Sequence, residues 1–521
     1  MPKYYKDHYD VVVIGASLAG LASALTLLEQ GYDVLVLEQH NLPGGVATSF
    51  VRGGVELEAS LHEMLSIGSK EYPLKIRKFL ESHNIYVDWQ RVPIAFKYVS
   101  NAYTALIRAG EGGDFSIPAK DIADACHDIT GSAYEEIKRF LEFCLKIHDE
   151  VDEVFGKYLS KLTMLRKYPD FVKVLGYSFK DVLDTYKLPP RAIDLLSAYW
   201  MYLGSPIDDT PFIVYAYMLS DYLGYGAYIP RNTSHEMSLK MAEAVMNKGA
   251  QVEFGQRVDK ILVRDKKVYG VKLSNDITIN CDYVISGAYP NTVYDKMIEP
   301  KSEVPEIAIK TINAMDIGVS CFSLVMLLDK DYKELGIQDY ATFFAPLGLD
   351  TNRTFESGKR LEKWDFITSV CSNTVIEDVT PKGTCFYSIT YLPKGETFKD
   401  MSLEDYDAYK KKNIDHFLEM ESQRLGVDLR KHILEMVVET PITISHYTSA
   451  FMGSIYGYRH AMNNHAAARE QMDRDEYFIN GLTFVGAHQY IGDGMSPSIS
   501  SGIVGANYVI QEDKRRKGDK K

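Results

Sequence analysis

The sequence is poor in cysteine, and the six it has are unpaired. Cys126, Cys144, Cys281, Cys321, Cys371 and Cys385 are scattered through 521 residues with no CxxC spacing. That excludes a disulfide framework and a cysteine zinc site, and it reads as reduced thiols in a cytoplasmic compartment. No stretch offers about 18 or more uninterrupted apolar residues, so no membrane span is expected. The first apolar run, from Val11, follows Lys3, Lys6 and Asp10, which is not the layout of a secretory signal. Basic charge is also in short supply. Lys and Arg number 58 against 71 Asp and Glu, a net charge of −13, so nucleic acid is excluded as the main partner. The one basic cluster, Lys514-Arg515-Arg516-Lys517 with Lys520-Lys521, reads as a solvated, disordered end. Its alternative is a weak peripheral attraction to anionic lipid. There is no internal repeat and no low-complexity linker.

What is present is the ordinary balance of a globular protein, with 46% hydrophobic and 25% charged residues, in a chain long enough for a large core. Length alone allows roughly three or four domain-sized units, or fewer larger ones. Val11-Val12-Val13-Ile14 is an apolar, β-branched run that predicts a buried strand. Gly15 ends it, an Ala- and Leu-rich helical pattern runs from Leu18 to Gln30, and Gly31 sits where a helix ends in a left-handed residue. Val34-Leu35-Val36-Leu37 is a second strand, ending at Glu38. This is the first half of a βαβ unit, and a parallel sheet follows from it. Residues 117–247 read as mainly helical, with Ser132 and Glu135 forming a capping-box pattern. An aromatic-dense stretch runs from Tyr199 to Tyr228. Strand character returns at 252–286, 321–328 and 385–391, an amphipathic helix is expected near 405–425, and a last strand at 482–485 leads into a glycine-rich loop and a final helix to about Ile510.

Three glycine-bearing segments carry the chemistry. Gly15-Ala16-Ser17-Leu18-Ala19-Gly20 is a G-x-S-x-x-G between strand and helix. In the usual fingerprint one glycine makes the turn, one lets backbone approach a pyrophosphate, and one lets helix pack on strand. Ser17 stands at the second place and crowds the closest approach. Glu38 lies 18 residues past Gly20 (38 − 20), suited to accepting ribose hydroxyls, and it would repel a 2′-phosphate. Asn41-Leu42-Pro43-Gly44-Gly45 exposes backbone amides for a second phosphate contact. Gly486-Ala487-His488-Gln489-Tyr490-Ile491-Gly492-Asp493-Gly494-Met495-Ser496-Pro497 reads as a loop with Ser496 as N-cap and Pro497 as the first helical residue. The free amides and partial positive charge of that helix end would suit a reduced flavin ring.

At these points the sequence resembles the phytoene desaturase and retinol saturase group of FAD-dependent oxidoreductases. The order of features is similar: the glycine turn with its acid, the Gly-Gly loop, Tyr228-Ile229-Pro230 leading into a helix, strands ending Val284-Ile285-Ser286-Gly287-Ala288, then Gly453-Ser454 with Gly457 and the last glycine loop. Gly54-Val55-Glu56-Leu57-Glu58 followed by Leu61-His62 is nearer the retinol saturase branch. Departures are Ser17 for a glycine, Ala487 where relatives place an acid, and Asn232-Thr233-Ser234 in a stretch that is usually glycine-rich. The resemblance implies an α/β fold with a discontinuous Rossmann-like FAD-binding domain (1–70, 228–300 and 446–521) and a mixed α+β substrate domain (71–227 and 301–445). It places FAD at Gly15, Ser17, Leu18, Ala19, Gly20, Glu38, Gln39, Gly44, Gly45, Val258, Gly486, Gly494, Met495 and Ser496. It implies an apolar lipid or isoprenoid substrate, chemistry at carbon–carbon double bonds, and NAD(P)H as a candidate electron donor. His62 is the foremost proton-transfer candidate, because histidine exchanges protons near neutral pH; a hydrogen-bonded core histidine is its bland reading. Glu63 and Asp493 follow, against a solvated Glu63 and an Asp493 that only orders its loop. Two other readings keep the fold: a flavin-dependent double-bond isomerase without net redox, and a prenyl-lipid chaperone without flavin chemistry.

Overall fold

The computed structural model describes residues 5–59, 63–128, 131–154, 159–360, 364, 366–464, 478–489 and 493–518. The run Val11–Val13 has no solvent exposure, because strand His8–Ile14 lies inside a parallel sheet covered on both faces. On one side it pairs with Val34–Leu37, which pairs in turn with Gln251–Glu253. On the other it pairs with Thr278–Ser286, whose far half takes Leu482–Phe484 as a parallel neighbour. Five parallel strands are thus gathered from three separated stretches of chain. An antiparallel pair, Val258–Arg264 with Lys267–Leu273, extends the sheet beside Thr278–Ser286, and Ile298–Glu299 closes that edge.

Helix Leu18–Glu29 covers one face of this sheet and packs against the last helix, Met495–Gly518, and against Thr233–Asn247. The crossing with the last helix is close. A Cβ added at Gly502 would lie 2.1 Å from the Ala19 carbonyl oxygen, so only a glycine fits there.

A second sheet of seven strands forms the other layer, in the order Ile433–Glu439, Phe322–Leu328, Cys385–Tyr391, Ile367–Val370, Ala341–Phe344, Ile94–Val99, Thr104–Arg108. Its neighbours are antiparallel except for the pair Ile94–Val99 and Ala341–Phe344. Period-two alternation divides its central strands between two environments. Leu324, Met326, Tyr387 and Ile389 pack with Phe417 and Leu418 of helix Leu403–Leu425, while Ser323, Val325, Phe386 and Ser388 face a cavity. Helices Ser132–Val154 and Phe212–Ser220 belong to a further core with the aromatic stretch, in which Tyr199, Trp200 and Tyr215 are buried.

Three details differ from the sequence expectation. The helix begins at Ser132 itself, and the amides of Ala133 and Tyr134 donate to Asp128, five and six residues before them, so a carboxylate ahead of the helix satisfies donors of its first turn. The last helix runs on to Gly518, well past Ile510. Its basic residues are therefore helical: Arg515 and Arg516 pair with Glu512, and Lys517 with Asp513. Among the described residues no helix is long and apolar enough to cross a membrane.

Replacing Gly502 by Ala should lower stability by about 1–3 kcal/mol, the usual cost of overpacking a close contact. Gly518→Ala, with open space around it, should move the thermal midpoint little. Melting curves of the two variants check this, and equal midpoints would show that the helix crossing tolerates a methyl group.

Candidate active site

A cavity of about 1680 Å³ runs between the two sheets. One end is built by the first strand–helix turn. Gly15 has φ +99°, a left-handed conformation that a side chain would strain. Ser17 caps the helix, its Oγ accepting from the Gly20 amide at 3.3 Å. The residue that crowds the turn thus also satisfies one of the helix's free donors. Gly20 is not on the cavity wall: a Cβ there would meet the Gly15 carbonyl at 2.0 Å, so it serves the packing of helix on turn. Gly15, Ser17, Leu18 and Ala19 do line the cavity, with Glu38, Gln39, Gly44, Gly45 and Val258.

Glu38 is buried, and its two oxygens accept from the Ala16 amide at 2.7 Å and the His40 amide at 2.8 Å. A carboxylate has about four acceptor sites, so two remain for a ligand. The Gly-Gly loop is tied to the same turn, since Gly44 N donates to Ala16 O at 2.8 Å. A Cβ on Gly44 (φ +113°) would collide with Ala47 O and Ser238 Oγ.

The C-terminal loop meets this turn from the other side. Gly486 has φ +116° and its amide donates to Ser501 Oγ at 2.7 Å. Tyr490, Ile491 and Gly492 lie outside the described residues. The helix begins at Met495, so Ser496 is already inside it; its hydroxyl donates to Leu65 O at 2.7 Å and fastens helix to loop instead of capping. Gly486, Gly494, Met495 and Ser496 all line the cavity.

Two carboxyl groups stand where this groove opens into the wider space. Glu63 is buried and not solvated. Its Oε1 accepts from Tyr202 Oη at 3.0 Å, its backbone carbonyl accepts from Tyr222 Oη at 3.2 Å, and its Oε2 has no partner. Burial pushes its carboxyl up to about 8, only partly offset by the Tyr202 hydrogen bond. Asp493 is also buried; its Oδ1 is 2.7 Å from Nε2 of the buried His460, while Oδ2 has no partner. His62 lies outside the described residues. Tyr202, Tyr222, Tyr456 and His460 all line the cavity. Sequence reasoning passed over His460, which no spacing connects to Asp493, and it named Tyr202 and Tyr222 only within the aromatic stretch. Much of that stretch is core, and Tyr202, Tyr217 and Tyr222 are the tyrosines from it on the wall.

The remote wall is mixed. Phe50, Val51, Val325, Phe386 and Val437 supply apolar surface. Glu439 adds a third carboxyl, pushed up to about 8 by burial and then by the charge of Glu58. Among the described residues no group of three or more His, Cys, Asp or Glu is placed to hold a metal ion.

A model of the family described as flavin containing amine oxidoreductase matches residues 18–510. The chain belongs to that family. Among the proteins similar to the chain is an all-trans-retinol 13,14-reductase of Danio rerio, 22% identical over 92% of this chain and 82% of the relative. A 4,4'-diaponeurosporene oxygenase of Staphylococcus aureus (strain USA300) is 23% identical over 97% and 99%. These names agree with the phytoene desaturase and retinol saturase group. A solved putrescine oxidase bound to putrescine shares the fold, with a TM-score of 0.62, 14% identity and 97% and 99% coverage. The family's flavin fits the groove, because Gly15, Gly45, Gly486 and Gly494 line it in positive-φ turns without side chains, and Glu38, also on the wall, keeps acceptor capacity.

The Glu63 carboxyl sets a pH dependence. Its folded value is about 8 against 4.5 for an ordinary Glu. The raised value makes its contribution to stability complete below about pH 4.5 and lost progressively as pH rises to about 8. Glu63→Gln cannot ionise, so its thermal midpoint should draw level with or exceed the parent's across that window. The difference between the two should be flat below pH 4.5. A difference independent of pH from 4.5 to 8 would show that Glu63 is solvated.

Proposed function

We propose that this protein is an FAD-dependent oxidoreductase that saturates or desaturates carbon–carbon double bonds of an apolar isoprenoid or other lipid. The observation that supports this reading is the continuity of one cavity from the Gly15–Ala19 turn to the apolar surface of Val325, Phe386 and Val437. FAD, when bound, supplies hydride exchange at its ring. In this reading Glu38 accepts from the ribose of the adenosine half. The Gly15–Ala19 turn and Gly45 would border the diphosphate, Val258 would border the adenosine, and Gly486, Gly494 and Met495 would face the ring. The names of the retinol reductase and the carotenoid oxygenases support the substrate class.

Adding or removing hydride at an alkene leaves a proton to be supplied or taken. We assign that step to Glu63, a residue of the cavity wall held protonated by burial and oriented by Tyr202, with Oε2 left without a hydrogen-bond partner. His62, which lies outside the described residues, is the other candidate for this proton. Asp493 and His460 form a second buried pair that orders the C-terminal loop. A positioned acid or base contributes about 10²–10⁴-fold, so Glu63→Gln should keep its flavin and lose about that factor in turnover.

The protein should purify yellow with FAD. Glu38→Ala should weaken FAD by roughly 10- to 100-fold, from the loss of a charged hydrogen bond worth about 1.5–3 kcal/mol. Ser17→Gly should change affinity far less, since glycine is itself a tolerated cap that costs only a few tenths of a kcal/mol. Titration of the apoproteins with FAD measures both. Anaerobically, a polyene should either reoxidise flavin reduced by dithionite or NADPH, the saturase direction, or reduce the oxidised flavin, the desaturase direction. Reduction of the oxidised flavin by putrescine, with no response to any polyene, would overturn the reading in favour of amine oxidation. Double-bond migration with no electron donor would identify an isomerase.

A further inference from the structure

Resting on the reading of the cavity as an apolar-substrate site, the register of the seven-stranded sheet carries a specific consequence. Pairing aligns Glu439 with Ser323, Ser323 with Thr390, and Thr390 with Thr368. Four polar side chains thus form one row across four strands, and all four lie on the cavity wall. The next row is Val437, Val325, Ser388 and Val370, and the one beyond holds Glu435, Leu327 and Phe386, of which Phe386 is on the cavity wall. A wall made only for a hydrocarbon would have no use for the first row, because polar groups facing an apolar chain lose their hydrogen bonds to water.

Some of the row is internally satisfied. Ser323 Oγ and Thr390 Oγ1 are 2.8 Å apart, and Thr368 Oγ1 lies 3.0 Å from Met201 Sδ. Glu439 is not. Its carboxyl makes no hydrogen bond to any described residue, and the nearby Glu58 is already occupied with the Ser234 amide and hydroxyl. Ser388, more than nine-tenths buried, also presents an unpartnered hydroxyl to the same cavity. The row sits at a defined end. Backbone bonds join Gly318 to Gly457 and Ile455 to Val319, and a Cβ on Gly457 would lie 2.2 Å from Ala487 O in the C-terminal glycine loop. The polar row therefore borders the end of the wall nearest that loop, and the wall residues Val325, Val437 and Phe386 lead away from it.

We propose that Glu439 and Ser323 form a subsite for a hydroxyl group on an otherwise apolar substrate. Directly opposed residues of an antiparallel pair have Cβ atoms about 4.5–5.5 Å apart, close enough for one hydroxyl to donate to the carboxyl and accept from the serine. A hydroxyl can do both in either protonation state of Glu439. A carboxylate end group would meet the charge of Glu58 and is rejected.

The test is equilibrium dialysis of the holoenzyme with labelled geranylgeraniol, the acid and amine of the same chain, and the hydrocarbon lacking the end group. The alcohol should bind about tenfold more tightly than the hydrocarbon, the ratio one neutral hydrogen bond sustains, and more tightly than the acid or amine. Glu439→Leu should bring alcohol and hydrocarbon to within about twofold, Ser323→Ala should shrink the ratio, and Glu439→Gln should retain it. Should the leucine variant fail to fold, Ser323→Ala carries the decision. Equal binding of alcohol and hydrocarbon by the parent, tighter binding of acid or amine, or a ratio unmoved by the variants would overturn the subsite. Binding is read without turnover, so a failure of double-bond chemistry appears only in flavin reoxidation or reduction and leaves these ratios as they are.

Discussion

The Glu38 carboxylate accepts amide hydrogens from two places, Ala16 in the first turn and His40 beyond the second strand. Those two bonds lock the end of Val34–Leu37 to the turn that follows His8–Ile14. The Gly44 amide then hangs from Ala16 O, so the second glycine loop inherits its position from the first. Charge-assisted bonds of this kind, shielded from water, hold geometry more firmly than neutral ones. The groove keeps its shape because the acid suited to a ribose also fastens the backbone around it. A substitution at Glu38 therefore acts on architecture and on ligand contact together.

The cavity divides its labour in a similar way. Near the glycine loops, carboxyl groups are buried with a partner on one oxygen only, as with Glu63 Oε1 and Asp493 Oδ1, leaving Oε2 and Oδ2 buried and unpartnered. Leaving a buried acceptor unmade costs stability, and burial answers by keeping Glu63 protonated near neutrality. Such a group is matched to proton exchange at the pH where it is half-ionised. Farther along, the second sheet's alternation hands one face to helix Leu403–Leu425 and the other to the cavity, so the same strands serve as core and as wall.

Local signals in the sequence made part of this readable. The β-branched run at Val11–Ile14, the turn residues at Gly15 and Gly31 and the acid at Glu38 act within a few residues, and the parallel sheet with its interrupted connectivity follows from them. Glu38, Gly44 and Gly486 reach the cavity where the spacing put them. What escaped was set by tertiary approach. Ser496 has an ideal capping identity, but the helix starts one residue earlier and its hydroxyl is drawn to Leu65 O. Gly20 has the motif's identity but faces away from the cavity. His460 meets Asp493 only because two loops converge, and Glu439 meets Ser323 only through a strand register that no local pattern encodes.

The contact of Gly502 with Ala19 also bears on how the molecule is made. The first βαβ half and the helix that seals it are separated by about 465 residues, which at about 5–20 residues per second is on the order of a minute of synthesis. Over that interval the apolar flank of Leu18–Glu29 has no permanent cover, and strand Thr278–Ser286 lacks its outer neighbour. The half of the molecule built on the parallel sheet is thus the first begun and the last completed on the ribosome. The nascent chain must keep that flank from aggregating by other contacts, with Thr233–Asn247 the earliest native element able to shield it.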